Sequence, residues 1–121
     1  MFDISTKDII EINALICQKY GSPFAIREYN LLQSIPKGVN QTIFGIDAYP
    51  TLQDKVSYVV SSIAKNHIFL DANKRTAVLV YYTLCEKYNL PVKTENDIFK
   101  IILRISVSPF DIELTKTLLF N

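Results

Sequence analysis

TLQDKVSYVVSSI, residues Thr51–Ile63, can be read in two ways. Its β-branched run VSYVV, taken alone, suggests a strand. Thr51 followed three residues later by Asp54 has the form of a capping box, and Val56, Val59, Val60 and Ile63 recur at the spacings of one helical face. Cap and periodicity together make the segment a helix, and the fold class turns on that reading. The same signal precedes apolar-periodic segments at Ser5 with Asp8, Thr94 with Asp97, and Ser108 with Asp111. In the last, Pro109 takes the first helical position, where its missing N–H costs nothing. At least four helices follow.

Upstream, Ile9, Ile12, Leu15, Ile16 and Tyr20 form an amphipathic pattern that Gly21 and Pro23 stop. Between residues 22 and 50, three prolines and two glycines interrupt one short helical turn around Glu28–Ser34, and the run TIFGIDAYP reads as extended. The polar stretch Lys37–Gln41 is assigned only to the surface. Downstream, Asn73 to Tyr88 is apolar on nearly every face, so other helices must surround it. Ile98, Ile101, Ile102 and Ile105, then Phe110, Leu114, Leu118 and Leu119, mark two more helices expected to pack against it. The expectation is an all-α, single-domain fold over residues 1–121, a length that encloses one core.

Hydrophobic residues at 49% and charged residues at 21% exclude a disordered chain, and a net charge of +1 gives no broad basic field for nucleic acid. Cys17 and Cys85 lie in apolar helical patterns and read as core thiols. No secretory-type start and no apolar stretch of the ~20 residues a membrane span needs is found, so the expected compartment is the cytoplasm.

Chemistry concentrates in HIFLDANKRTA, His67–Ala77, which holds the only histidine. It joins the Thr51 helix to the apolar one, so Asn73, Lys74 and Arg75 fall in a first helical turn. Cations are unfavourable there and unpaired backbone N–H groups attract anions, so the pattern anticipates an anion. Asp71 just before that turn suits Mg²⁺, which accepts one or two carboxylates and completes its shell with phosphate and water. Histidine ordinarily changes charge near neutral pH, which makes His67 the segment's general base. Phe69 has the parity of an inward anchor. Phosphoryl or nucleotidyl transfer to a hydroxyl follows. Singly, each residue also has a plain structural reading: His67 hydrogen-bonded, Asp71 an N-cap, Lys74 and Arg75 a solvated face, and Tyr81, Tyr82 and Tyr88 core. Their joint occurrence favours the chemical one.

His67-x-Phe69-x-Asp71-Ala72-Asn73-Lys74-Arg75 resembles the signature loop of the Fic/Doc family, specifically its Doc (death-on-curing) toxin branch. FAIREYNLLQS, around Arg27, Leu31, Leu32 and Ser34, and FGIDAYPTLQDK are similar to the family's early segment and to its flap and next helix start. The resemblance spans roughly residues 5 to 106. It implies a compact bundle of about six helices with a flap segment before the active-site loop. It implies catalytic roles for His67, Asp71 and Arg75, Mg²⁺ on Asp71, and nucleotide on Ala72, Asn73, Lys74 and Arg75. The run from Ile43 to Tyr49 would pair with a target's backbone.

AMP-transferring relatives usually carry Pro, Gly-Asn-Gly and a second Arg where this chain has Ile68, Ala72-Asn73-Lys74 and Val78. The Doc-like pattern implies transfer of the γ-phosphoryl group of ATP, with a threonine of elongation factor Tu as target and translational arrest as result. It also implies a Phd-like antitoxin whose disordered tail folds into a groove, since the self-restraining motif of other Fic proteins is absent. The alternatives are AMP transfer and a catalytically silent helical protein-binding module.

Overall fold

The computed structural model describes residues 1–121. Its elements are α1 (Thr6–Tyr20), α2 (Tyr29–Val39), β1 (Thr42–Ile43), β2 (Ile46–Asp47), α3 (Leu52–Lys65), α4 (Asn73–Lys87), α5 (Glu95–Val107) and α6 (Ile112–Phe120). The architecture is all-α, as the Thr51 reading requires. The Thr51 hydroxyl accepts from the Asp54 amide at 3.0 Å and the Asp54 carboxylate from the Thr51 amide at 3.2 Å. Val56, Val59, Val60 and Ile63 are fully buried, so the helical period prevailed over β propensity. α3 packs against α2, α4, α5 and α6, while α4 also meets α1 and α5. Together α3 and α4 form the centre of the bundle. No helix is long and apolar enough to cross a membrane.

The Ser5 box also closes in both directions, whereas at Thr94 only the hydroxyl bond from Asp97 forms. The fourth expected box does not form. Pro109 disfavours helical geometry in the residue before it, and Ser108 is extended, closing α5 rather than opening α6. Asp111 caps α6 instead, accepting from the Leu114 amide at 3.1 Å. Pro109 and Phe110 therefore lie outside the helix. α6 rests mainly on α3 and reaches α4 through Tyr81, whose hydroxyl donates to the Leu119 carbonyl at 3.0 Å. Burial pushes the Tyr81 hydroxyl up to about 12. The three tyrosines of α4 and its end are structural: Tyr82 donates to the Lys93 carbonyl and the Tyr88 ring stacks on Phe2.

α2 is a full helix through Val39, not the short turn expected, although Pro36 lies inside it. An interior proline costs about 3 kcal/mol. Leu32, Ile35 and Val39 are buried on one face, and each such side chain contributes ~1.5–3 kcal/mol, enough to outweigh that cost. The stretch Lys37–Gln41 also has work beyond exposure. Asn40 holds the chain start, its Oδ1 accepting from the Phe2 amide and its Nδ2 donating to the Phe2 carbonyl, both at 2.9 Å. Gly38 admits Tyr58, for a Cβ there would stand 1.9 Å from the tyrosine oxygen.

Asp54 is buried and ion-paired with Lys116 of α6 at 2.9 Å. Burial alone would push its carboxyl up, but Lys116 and Thr51 outweigh burial and hold it below the ordinary range. A carboxyl depressed on folding stabilises the fold above its unfolded value, near ~3.9, and that contribution is lost as pH falls through the folded value. Thermal melts in acid are expected to show Tm declining most steeply below about pH 4. Asp54→Asn should flatten that decline, and an unchanged slope would assign the acid sensitivity to another group.

Candidate active site

α3 closes at Asn66, and His67 takes a left-handed φ of 47°, a conformation histidine adopts more readily than most residues. The turn carries the imidazole into solvent, where no protein group bonds it. Ile68 and Phe69 then turn fully inward. The strip Ala25–Glu28 runs antiparallel along them. The amides of Arg27 and Glu28 donate to the Ile68 carbonyl at 2.8 and 3.0 Å, and the Leu70 amide donates to the Ala25 carbonyl at 2.9 Å. Asn73 reaches back across the loop, its Oδ1 accepting from the Phe69 amide at 3.0 Å and its Nδ2 donating to the Phe69 carbonyl at 2.9 Å. Its side chain is thus committed to shaping the loop, and what it offers outward is its backbone N–H.

Ala72, left-handed at φ 64°, opens α4 without a side-chain cap. Asp71 stands one residue too early to be that cap. Its Oδ1 accepts from the Ala72 amide at 2.7 Å, and its other oxygen has no partner. The amides of Asn73, Lys74 and Arg75 find no acceptor in the protein. Neither Lys74 nor Arg75 has an acidic partner; the Arg75 guanidinium lies over the Tyr20 ring, 4.2 Å from its centroid. Unpaired amides, a helix dipole and two free cations make this end of α4 an anion cradle. No group of three metal-type side chains occurs. A lone exposed carboxylate beside an anion cradle fits Mg²⁺ that brings phosphate oxygens and water as its other ligands.

The structure therefore gathers His67, Asp71, Ala72, Asn73, Lys74 and Arg75 on one connection and one helical turn. The hairpin is elsewhere. Residues 42–47 do form the extended pair expected, with Phe44 and Gly45 both left-handed in its two-residue turn. It precedes the loop in the chain but stands at the other end of α3. Lys55, in the first turn of α3, donates to the Asp47 carboxylate at 3.3 Å and to the Tyr49 carbonyl. With 14 residues, α3 separates hairpin from loop by ~21 Å of helix. The extended segment beside the loop is Ala25–Glu28.

Sequence reasoning missed what lies under Asp71. Asn13 of α1 is wholly buried, and its Nδ2 donates to the Asp71 carbonyl at 3.0 Å and to Thr76 Oγ1 at 2.9 Å. Thr76 Oγ1 donates in turn to the Ala72 carbonyl at 2.7 Å, and Asn13 Oδ1 accepts from Cys17 Sγ at 3.5 Å. Burial, then the negative charge of Asp71, push the Cys17 thiol up. Both cysteines are free and buried. The available signal was an asparagine four residues after Ile9, on the face that Ile16 and Cys17 continue. On that face Leu15 and Tyr20 do not belong, since both are exposed.

Comparison with known proteins agrees with this geometry. The sequence model of the Fic/DOC family matches residues 3–85. The chain is also similar to a protein named Toxin Doc from Mycolicibacterium smegmatis, 33% identical over 79 residues, which are 65% of this chain and 61% of that protein. The matched stretch thus spans somewhat less than two thirds of the relative. Since residues 3–85 run from the start of the chain through α1, the strip, the loop and nearly all of α4, the chain belongs to the Fic/DOC family.

Proposed function

We propose that this chain is a Doc-like toxin that transfers the γ-phosphoryl group of ATP to a hydroxyl of a target protein. A threonine of elongation factor Tu is the first candidate, and arrest of translation the result. One observation carries the reading: an unpartnered, exposed imidazole on the same short connection as an uncapped helix N-terminus with two free cations and a free carboxylate oxygen.

Mg²⁺·ATP would supply the phosphoryl group and the charge-neutralising ion, the latter on Asp71. His67 accepts the proton of the target hydroxyl, for which a solvent-facing imidazole without competing bonds is suited. The amides of Asn73, Lys74 and Arg75, with the Lys74 and Arg75 side chains, hold the nucleotide's phosphates. Asn73 keeps Phe69 seated, so that His67 and Asp71 leave the loop in fixed directions. Transfer of this kind asks chiefly for positioning and charge stabilisation, which these groups provide. Lys74 occupies the place where a glycine would leave room for a phosphate, and Val78 offers no phosphate contact; both favour phosphoryl over AMP transfer.

Restraint falls to a Phd-like antitoxin in the cytoplasm. A groove of about 340 Å³ between α1 and α4 is lined by Ile12, Leu15, Val80 and Leu84 and by Asp8 and Glu11, with Asp3 already paired to Lys87 of the same lining at 2.6 Å. It suits a disordered tail that folds with apolar residues inward and a basic one toward Asp8 and Glu11.

The test is label transfer to purified elongation factor Tu with Mg²⁺ and ATP carrying label at either the γ- or the α-phosphate. Label from the γ-position alone is expected. Label from the α-position would replace this reading with AMP transfer. Label from neither, together with no ATP binding by calorimetry, would make the chain a silent helical protein-binding module.

A further inference from the structure

Asn13 is the only wholly buried side-chain amide in the chain, and both its donors are spent where α4 begins. One holds the Asp71 carbonyl. The other holds Thr76 Oγ1, which itself holds the Ala72 carbonyl. The carbonyls of two successive peptides are thereby fixed inward. Their inward hold matters because Ala72 is left-handed, a conformation that costs a non-glycine residue roughly 1 kcal/mol or more. Rotating the Asp71–Ala72 peptide would relieve it, since that rotation returns φ of Ala72 to negative values. It would also turn the Asp71 carbonyl outward, placing an acceptor oxygen where the cradle needs donors.

We infer that Asn13 is a positioning residue. By pinning the Asp71 carbonyl it holds Ala72 in the left-handed turn, and so keeps the cradle's amides and the Asp71 carboxylate directed at the ligand. The inference rests on the nucleotide reading above only for what is bound; the conformational part concerns the protein alone. Buried groups that orient a ligating residue typically alter metal affinity ~10–100-fold when removed. Thr76 is the second member of the device. Cys17, which meets only the acceptor side of Asn13, is not part of it.

Two measurements on the full chain test this. The first is calorimetric affinity for Mn²⁺ with β,γ-imido-ATP. Asn13→Leu, similar in volume but without donors, should weaken binding at least ~10-fold. Thr76→Val, which keeps the branched shape, should weaken it in the same direction and serves if Asn13→Leu fails to fold. Cys17→Ala should bind as the wild type does. Adding Ala72→Gly should restore most of the loss, because glycine takes a left-handed turn without help; loss of packing alone would not be rescued this way. The second is the ¹³C chemical shift of the Ala72 α- and β-carbons without ligand, which should leave left-handed values in Asn13→Leu or Thr76→Val. Unchanged shifts with unchanged affinity in both variants would overturn the inference, as would a loss that Ala72→Gly does not restore. If the wild type binds no nucleotide while the shifts move as stated, the positioning stands and the nucleotide reading falls.

Discussion

Replacing His67 by alanine should lower the proposed phosphoryl transfer by about 10²–10⁴-fold, the usual share of a positioned general base. The fold should hardly notice. His67 is exposed, accepts and donates no hydrogen bond within the protein, and caps no helix by its side chain. Its one structural demand is the left-handed φ of 47°, which alanine meets less readily than histidine, so the loss of stability should stay within about 1 kcal/mol. The measurement is the initial rate of γ-label transfer at saturating Mg²⁺ and ATP, paired with a thermal melt of the same preparation. A variant that keeps more than a tenth of the wild-type rate would remove His67 from the role of base and direct attention to a water or a group of the target.

Phe69→Ala should do the reverse of a silent fold. Phe69 is fully buried, lies 6.3 Å ring to ring from Phe24, and carries both backbone bonds to Asn73. Truncation of a buried phenylalanine costs about 3–5 kcal/mol. That is a large part of the ~5–15 kcal/mol by which domains are stable. For a chain of this length each kilocalorie moves Tm by roughly 4 °C, so a fall of more than ~10 °C is expected by calorimetry. Activity should fall with it even below the new Tm, because the same ring seats the loop from which His67 and Asp71 project. A loss under about 1 kcal/mol would show that the Ala25–Glu28 strip holds the loop without the ring.

The helices were legible where capping box and apolar period agreed, which at Thr51 was enough to prevail over the β-branched run that follows. Thr51 and Ser5 placed α3 and α1 because hydroxyl, acid and apolar period all agreed. At Ser108 two local rules competed, and the restriction that Pro109 imposes on the residue before it overrode the box. α2 was underestimated because the cost of Pro36 is written in the sequence, whereas the burial of Leu32, Ile35 and Val39 that offsets it depends on α3 being there. For the site, the one-dimensional cluster from His67 to Arg75 was enough to find the place. It could not reveal partners 55 to 58 residues away, Tyr20 under Arg75 and Asn13 under Asp71. The position of the hairpin was within reach: a 14-residue helix between it and His67 sets the two far apart by arithmetic alone.

The cradle at α4 is built chiefly from main-chain groups, since an uncapped first turn supplies its amides without calling on the His67 imidazole or the Asp71 carboxylate. Mutational drift can therefore erase the reaction far more easily than the affinity. A descendant of this chain that had lost His67 or the Asp71 carboxylate would still gather phosphates at that turn. Retained anion binding would then be an inherited trace of the proposed activity, and only the two side chains would tell an active descendant from a silent one.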